Sequence, residues 1–363
     1  MTGCILITGG AGFIGTNLAR RLAGAGRTVR ILDALVRQGA QQNVIDACNS
    51  FPGCIQLIKG DVRDIALVRA AIDGVEHVYH LAAQVAVTKS LEDPGTDFEI
   101  NVGGTMNVLE AIRSSSQRPS LLYSSTNKVY GALRDVDVEP VASRYVPRDA
   151  RIRANGIAEQ RVLDFHSPYG CSKGAADQYV LDYARSYGLT AAVMRMSCIY
   201  GPYQHGNEDQ GWVAHFMRSA IADDPVTIYG DGRQVRDVLF VDDLVNAFEL
   251  ARTNIHALSG RAFNVGGGPA NTLSVLELID RIEAISGQSL DVAIEAWRVG
   301  DQRYYVSDTR RFETASGWRP QVDTTKGLDA LWRWCAEAAS RHDTTMCIEA
   351  AREQRESTGA APP

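Results

Sequence analysis

The sequence contains no apolar run near the ~20 residues that a membrane-spanning helix needs, so no membrane association is expected. Its first residues lead directly into an apolar strand pattern at Cys4, which leaves no room for a secretory signal and predicts a cytoplasmic location. No stripe of basic residues is present and the formal net charge is −6. A nucleic acid partner is therefore not expected.

Closely spaced cysteines and histidines are also missing. The seven cysteines are scattered without a C-x-x-C pair, and the seven histidines show no metal-ligand spacing. We therefore expect neither a disulfide framework nor a metal site. With 363 residues, of which 45% are hydrophobic and 22% charged, the chain has the composition of a soluble globular protein with one large domain or two coupled ones.

Glycine is plentiful at one informative place, close to the N-terminus. Gly9, Gly12 and Gly15 lie between an apolar strand pattern and a helix pattern. Such glycines allow a tight turn and a close approach of the backbone to a pyrophosphate, which the helix N-terminus then binds. A second strand pattern ends in Asp33, near the ~20-residue spacing of the carboxylate that holds the adenosine ribose. Because a carboxylate repels a 2′-phosphate, the motif favours NAD over NADP, although Arg37 lies nearby.

A second motif combines Tyr169 and Lys173, which stand four residues apart at the start of a predicted helix. This spacing places both side chains on one helix face. A phenol beside an ammonium is expected to have a lowered pKa, which suits a general base that removes a proton from a sugar hydroxyl. Such a pair occurs by chance on many helices, and it gains weight here from the dinucleotide motif.

Strand and helix patterns alternate regularly through the first half of the chain. This alternation predicts an α/β fold with a doubly wound parallel sheet, in which ligands bind at the carboxyl ends of the strands. After Arg195 the alternation loosens, which predicts a smaller interleaved substrate lobe. We assign residues 1–195 plus about 236–265 to the dinucleotide-binding lobe and about 196–235 plus 266–342 to the nucleotide-sugar-binding lobe. Residues 343–363 are expected to form a disordered tail.

Many loop-forming residues separate Thr126 from Tyr169, including the segment Gly131–Ser167. Connections of this length are usually functional or part of an interface. A subunit contact, a lid over the substrate and a mobile loop are all consistent with this segment.

With these motifs assembled, the chain resembles the extended short-chain dehydrogenase/reductase family of nucleotide-sugar-modifying enzymes, from Gly9 to about Arg303. The resemblance implies a Rossmann fold, bound NAD and a catalytic triad of Thr126, Tyr169 and Lys173. It is strongest with NAD-dependent epimerases that act at carbon 2 of a CDP-linked sugar. Four segments carry it: 163–179, 209–213, 232–238 and 301–303.

The resemblance also implies the residues that hold the ligands. Cofactor contacts are expected from Gly9, Gly12, Phe13, Ile14, Gly15, Asp33, Arg37, Asp61, Val62, Leu81, Ala82, Ala83, Asn101, Ser124, Tyr169, Lys173 and Met196. Substrate contacts are expected from Thr126, Asn127, His166, Ser197, Gln210, Trp212, Val213, Arg236 and Arg303, with both arginines on the diphosphate.

The implied reaction is epimerisation through a keto sugar, with a hydride removed from one face and returned to the other. Asn127 and Lys128 follow Thr126 where dehydratases of the family carry an Asp-Glu pair, so water elimination is disfavoured. CDP is the expected nucleotide, with UDP and GDP as alternatives, and a homodimer or homotetramer is expected from the resemblance. A UDP-sugar 4-epimerase, a net oxidoreductase and a non-catalytic dinucleotide sensor or scaffold stay open as other functions.

Overall fold

A computed structural model describes residues 3–298 and 300–340. The tail predicted at 343–363 lies outside the described residues. The strands are β1 Cys4–Thr8, β2 Val29–Asp33, β3 Ile55–Lys59, β4 Val75–His80, β5 Ser120–Thr126, β6 Val138–Val141, β7 Arg144–Pro147, β8 Ala191–Met196, β9 Cys198–Tyr200, β10 Val226–Tyr229, β11 Val235–Phe240, β12 Ala262–Val265, β13 Thr272–Ser274, β14 Val292–Glu295 and β15 Tyr304–Tyr305.

The helices alternate with these strands. They are α1 Phe13–Gly24, α2 Ala40–Ser50, α3 Ile65–Ile72, α4 Val87–Glu92, α5 Pro94–Phe98, α6 Gly104–Ser114, α7 Ala150–Asn155, α8 Ser167–Tyr187, α9 Trp212–Ala222, α10 Val241–Thr253, α11 Ile255–Leu258, α12 Val275–Ser286, α13 Arg310–Ser316 and α14 over residues 324–340. A π-helical turn, Glu99–Gly103, precedes α6, and a 3-10 turn, Asn127–Tyr130, follows β5. None of the helices in the described part of the chain is long and apolar enough to cross a membrane.

Seven parallel strands form the central sheet in the order β12-β8-β5-β4-β1-β2-β3. The chain runs outward from β1 to β3 and then returns to place β4 on the other side of β1. A crevice opens at this reversal, beyond the carboxyl ends of β1 and β4, and ligands bind there in sheets of this kind. The predicted α/β doubly wound fold is confirmed.

Both faces of the central sheet are covered, which explains why its strands are apolar on both sides. On one face, Leu18 and Leu22 of α1 pack with Phe248 of α10. On the other face, Val108 of α6 and Val180 of α8 pack against the strands. The two layers hold the strand ends in place, and those ends carry the site.

A smaller lobe stands beside the carboxyl ends of the sheet. Strands β10 and β11 flank the turn at Gly230–Gly232. They pair with other partners, however: β10 with β14, and β11 with β9, β13 and β15. Strand β11 therefore belongs to the small sheet, whereas β12 completes the central one. Since Phe312 and Trp318 pack into the central core, the chain returns to the main lobe after β15.

The long segment between Thr126 and Tyr169 is folded against the small lobe. It contains the hairpin β6–β7 and helix α7. Arg144 forms a 2.5 Å ion pair with Glu277 of α12, and the Tyr145 N–H donates to the Arg233 carbonyl oxygen at 2.9 Å. The segment thus joins the end of β5 to the small lobe and helps to build one wall of the site.

Candidate active site

The glycine loop between β1 and α1 is shaped for close approach by a ligand. Gly9 has a φ of +70°, in the left-handed region that favours glycine. A Cβ at Gly15 would lie 2.5 Å from the Gly10 Cα, so a side chain there would displace backbone. Helix α1 starts at Phe13, and its first N–H groups lack helical partners. The loop therefore presents a cradle that fits a diphosphate.

Asp33 ends β2 beside this loop. Its carboxylate accepts hydrogen bonds from the backbone N–H groups of Ala11, at 2.9 Å, and Leu35, at 2.8 Å. Burial raises the pKa of Asp33, although these hydrogen bonds oppose the rise. Arg37 follows in the same loop and hydrogen-bonds Gln210 of the small lobe across the crevice. This arrangement places a carboxylate where a ribose would lie next to the diphosphate cradle.

The crevice encloses a cavity of about 220 Å³ at the switch point of the sheet. Of the predicted cofactor residues, the cavity lining includes Gly9, Gly12, Phe13, Ile14, Gly15, Asp33, Arg37, Asp61, Val62, Leu81, Ala82, Ala83, Ser124, Tyr169, Lys173 and Met196. Asn101 lies behind the wall, where its side chain donates to Ser172 at 2.9 Å and accepts from the Gln84 N–H. Asp61 forms a 2.8 Å ion pair with Arg63, which lowers the pKa of Asp61.

Two of the three predicted catalytic residues, Tyr169 and Lys173, line this cavity, and Thr126 lies beside them at the end of β5. Thr126 ends β5, Tyr169 lies in the first turn of α8, and Lys173 follows one turn later. All three are buried, with Tyr169 and Thr126 both 8% exposed. The Lys173 ammonium donates to the Ser124 carbonyl oxygen at 2.6 Å and lies 4.3 Å from the centre of the Tyr123 ring.

Electrostatics at the triad differ from the sequence expectation. Burial raises the pKa of Tyr169 to about 12 and the charge of Asp97 adds to the rise, although the nearby Thr126 hydroxyl and the charge of Arg37 lower it. Burial also lowers the pKa of Lys173 to about 7, against the attraction of Asp177 and Asp97. The expectation of a lowered pKa for the phenol is wrong here, because loss of hydration outweighs the charge of Arg37. A further positive charge would be needed to make this phenol a strong base.

A buried ion pair holds α8 in position against the sheet. Arg195 of β8 contacts Asp177 of α8 through two hydrogen bonds of 2.9 Å, and Ser125 donates to the same carboxylate at 2.8 Å. The two charged side chains are 5% and 0% exposed. A bidentate contact between arginine and a carboxylate fixes the direction of the pair as well as its distance. Helix α8 therefore presents Tyr169 and Lys173 to the cavity in one orientation.

A second and larger cavity, of about 420 Å³, lies between the triad and the small lobe. Its lining includes five of the predicted substrate residues: Asn127, His166, Gln210, Trp212 and Arg236. Gln210 lines both cavities, so they meet beside this residue. Tyr169 and Lys173 line the smaller cavity, whereas Asn127 and Lys128 line the larger one, so a ligand that spans both cavities would pass beside Gln210.

Four predicted substrate residues line neither cavity: Thr126 at the end of β5, and three residues in other surroundings. Val213 is 2% exposed and packs in the core of the small lobe. Ser197 donates to the Asp237 carbonyl oxygen at 2.8 Å and also contacts the carboxylate of that residue. Arg303 is exposed and stacks over the rings of Tyr145 and Trp297, at 5.6 and 5.9 Å from their centres. Their substrate contacts stay predictions.

Sequence reasoning missed several charged and aromatic residues of the second cavity. Lys128, Tyr229, Arg298 and Asp301 line it, and the Arg298 guanidinium lies 3.8 Å from the centre of the Tyr229 ring. Lys128 carried a usable signal in its position two residues after Thr126, and Asp301 carried one in its place within the segment 301–303. The others come from distant segments that only the folded lobe brings together.

Comparison with known proteins agrees with this geometry. The NAD dependent epimerase/dehydratase family matches residues 5–266. CDP-paratose 2-epimerase of Salmonella typhi is 42% identical over 337 residues, which cover 91% of this chain and 98% of that protein. UDP-glucose 4-epimerase of Mycolicibacterium smegmatis is 33% identical, with coverages of 89% and 95%.

A solved structure shows the same likeness in three dimensions. UDP-glucuronic acid 4-epimerase from Bacillus cereus, in complex with UDP-glucuronic acid and NAD, has a TM-score of 0.79 and 25% identity to this chain. The likeness covers 92% of this chain and 99% of that one. The glycine cradle and the carboxylate of Asp33 fit the diphosphate and ribose of NAD. The chain belongs to the NAD-dependent epimerase/dehydratase family, and NAD is its cofactor.

Proposed function

We propose that the protein epimerises a nucleoside-diphosphate sugar at carbon 2, with CDP as the nucleotide. The observation that carries this proposal is that Tyr169 and Lys173 line a cavity that fits NAD, while Asn127 and Lys128, which follow Thr126 directly, line the adjoining cavity that suits a nucleotide sugar. The 42% identity to CDP-paratose 2-epimerase supports carbon 2 and CDP.

NAD, when bound, supplies a hydride acceptor and donor and a positively charged ring. Gly9, Gly12, Gly15 and the N-terminus of α1 would hold its diphosphate, and Asp33 its adenosine ribose. All of these residues line the smaller cavity, which ends at Tyr169. The residues that hold the sugar therefore determine which of its carbons faces Tyr169.

Tyr169 takes the proton from the hydroxyl of the reacting carbon. With a pKa of about 12, the phenol is a weak base on its own, so an added positive charge beside it matters. Lys173 is held by the Ser124 carbonyl oxygen at 2.6 Å and contributes its ammonium on the same helix face. The Thr126 hydroxyl lies near enough to the Tyr169 phenol to lower its pKa, and it orients the reacting oxygen.

Water elimination is a poor match for the same cavity. Elimination needs a general acid and a general base at neighbouring sugar carbons. Asn127 does not titrate, and Lys128 beside it lies 3.9 Å from the Asp301 carboxylate. The residues next to Thr126 thus favour epimerisation, in which a proton and a hydride leave and return at one carbon.

The test is an NMR assay of the purified protein with CDP-, UDP- and GDP-hexoses in deuterated buffer. Inversion at carbon 2 of the CDP-sugar without solvent deuterium at that carbon is expected, because the hydride is returned directly. Inversion at carbon 4 would favour a 4-epimerase, and deuterium at the inverted carbon would refute hydride return. Net accumulation of reduced cofactor, seen by absorbance, would show a net oxidoreductase instead.

Tyr169→Phe tests the assigned base. Turnover should fall by ~10² or more while the NAD content stays unchanged, because only the phenolic oxygen is lost. Tyr179→Phe is a matched control, since Tyr179 lies on the same helix and is 44% exposed. Activity of Tyr169→Phe within a few-fold of the wild-type protein would show that another group is the base.

A further inference from the structure

Three charged residues meet on the wall of the larger cavity: Lys128, Arg236 and Asp301. Arg236 contacts the Asp301 carboxylate at 2.6 Å, and the Lys128 ammonium lies 3.9 Å from the same oxygen. The exposed fractions of these side chains are 26% for Lys128, 9% for Arg236 and 22% for Asp301. Two cations thus share one carboxylate in a largely desolvated place.

The two cations differ in how well they are satisfied. Arg236 donates to Asp301 and also to the Val235 carbonyl oxygen, at 2.9 Å. The Lys128 ammonium has three hydrogen atoms to donate, yet within residues 3–298 and 300–340 it has no hydrogen-bond acceptor, and Asp301 is its ion-pair partner. An ammonium that faces a cavity and still has hydrogen atoms to donate is suited to bind the oxygen atoms of a ligand.

The balance of charge defines the chemistry of that ligand. Lys128 and Arg236 together carry one more positive charge than Asp301 neutralises. A single positive charge held in a half-buried cavity is best compensated by an anionic oxygen. Phosphate oxygens are such acceptors, and a lysine ammonium binds them as a point charge.

The position of Lys128 relates this charge to the reacting carbon. Its backbone N–H donates to the Thr126 hydroxyl oxygen at 3.3 Å, so its backbone is tied to the triad, and its side chain reaches the larger cavity from there. In a nucleotide sugar, carbon 2 is bonded to carbon 1, which carries the phosphate, whereas carbon 4 lies across the ring. A phosphate-binding group next to the triad therefore suits a sugar that presents carbon 2.

We propose that Lys128 binds the sugar-linked β-phosphate of the substrate and thereby places carbon 2, rather than carbon 4, at Tyr169. Arg236 holds the other side of the diphosphate, and Asp301 keeps both cations in place. The inference rests on the proposed function, and it assigns Lys128 as a specificity-determining residue.

The direct test measures binding of CDP and CMP by calorimetry to the NAD-loaded protein. CMP lacks the β-phosphate, so the ratio of the two dissociation constants isolates that group. Lys128→Met should weaken CDP binding ~10-fold or more while changing CMP binding less than threefold. Lys128→Arg should retain most of the CDP affinity because it keeps the charge. Lys326→Met, at a side chain 75% exposed, is the control and should change neither constant.

An unchanged ratio of CDP to CMP affinity in Lys128→Met would overturn the proposal, since the ammonium would then contact water and Asp301 only. An equal loss for both nucleotides would also overturn it, because Lys128 would then shape the cavity as a whole. Should Lys128→Met fail to fold, Lys128→Gln gives the same comparison.

A turnover assay completes the test. With the CDP-sugar, Lys128→Met should raise KM ~10-fold or more and should form some carbon 4 product, because the sugar is no longer held by its phosphate. A raised KM with inversion at carbon 2 alone would overturn the positional part of the proposal. Inversion at carbon 4 by the wild-type protein would instead refute the proposed function, whatever the variant does.

Discussion

Replacing Lys173 by methionine should abolish catalysis and yet stabilise the fold at neutral pH. Lys173 is 3% exposed, and burial lowers the pKa of its ammonium from 10.5 to about 7. The fold therefore disfavours the charged form that the ordinary lysine side chain has at pH 7. Methionine fills a similar volume without a charge, so it removes this conflict.

The magnitude follows from the pKa shift and from the lost contact. One pKa unit corresponds to ~1.4 kcal/mol, so the fall from 10.5 to about 7 corresponds to roughly 5 kcal/mol. Losing the 2.6 Å hydrogen bond to the Ser124 carbonyl oxygen costs ~1–3 kcal/mol. The net increase in the free energy of unfolding at pH 7 is then about 2–4 kcal/mol.

The difference in free energy of unfolding between Lys173→Met and the wild-type protein changes sign with pH, which makes the prediction specific. Between about pH 7 and pH 10.5 the unfolded chain keeps a proton on Lys173 that the folded protein has released. The free energy of unfolding of the wild-type protein therefore rises across this window, and the variant lacks that rise. Near pH 10 the variant should be the less stable of the two, because only the lost hydrogen bond remains.

Urea unfolding at pH 7 and near pH 10 measures this difference. Both proteins are kept at one NAD concentration and their bound NAD is quantified, since a ligand of the native state adds stability. Lys326→Met serves as the control, because its side chain is 75% exposed. Parallel pH profiles for the wild-type protein and Lys173→Met would refute the argument that burial of the charge is costly.

Three further variants test other parts of the structure. Gly15→Ala should lose NAD binding, measured as bound cofactor after purification, because its Cβ would lie 2.5 Å from the Gly10 Cα; full NAD content would contradict this. Asp33→Ala should bind NAD more weakly and accept NADP more readily; unchanged selectivity by calorimetry would place the ribose contact elsewhere. Arg195→Met should cost about 3–5 kcal/mol in urea unfolding, because Asp177 is left buried without its cation; a loss below ~1 kcal/mol would contradict this.

Sequence reasoning was strongest where the chemistry depends on residues close together in the chain. The spacing of Gly9, Gly12 and Gly15 predicted the strand, turn and helix that form the diphosphate cradle. The four-residue spacing of Tyr169 and Lys173 likewise predicted one face of α8. These features need only local backbone geometry, which periodicity and glycine content reveal directly.

Contacts between distant segments were beyond the same reasoning. The pKa of Tyr169 depends on how deeply α8 is buried, and burial reversed the expected shift. Val213 faces the core of the small lobe rather than a cavity. Sequence patterns mark both residues as candidates, but only packing decides how hydrated a phenol is or which face of a helix a ligand meets.

The sequence by itself determined the doubly wound sheet and the glycine-rich NAD site, because both follow from short spacings and from strand ends that share one edge. The catalytic trio of Thr126, Tyr169 and Lys173 stays a prediction implied by the resemblance. Only the tertiary structure decided the shape and charge of the substrate cavity. There Lys128 and Arg236 come from two separate segments, and both contact the carboxylate of Asp301, which lies on a third segment. Their interaction depends on the packing of the small lobe against the end of β5, because Coulomb attraction and desolvation depend on distances in space.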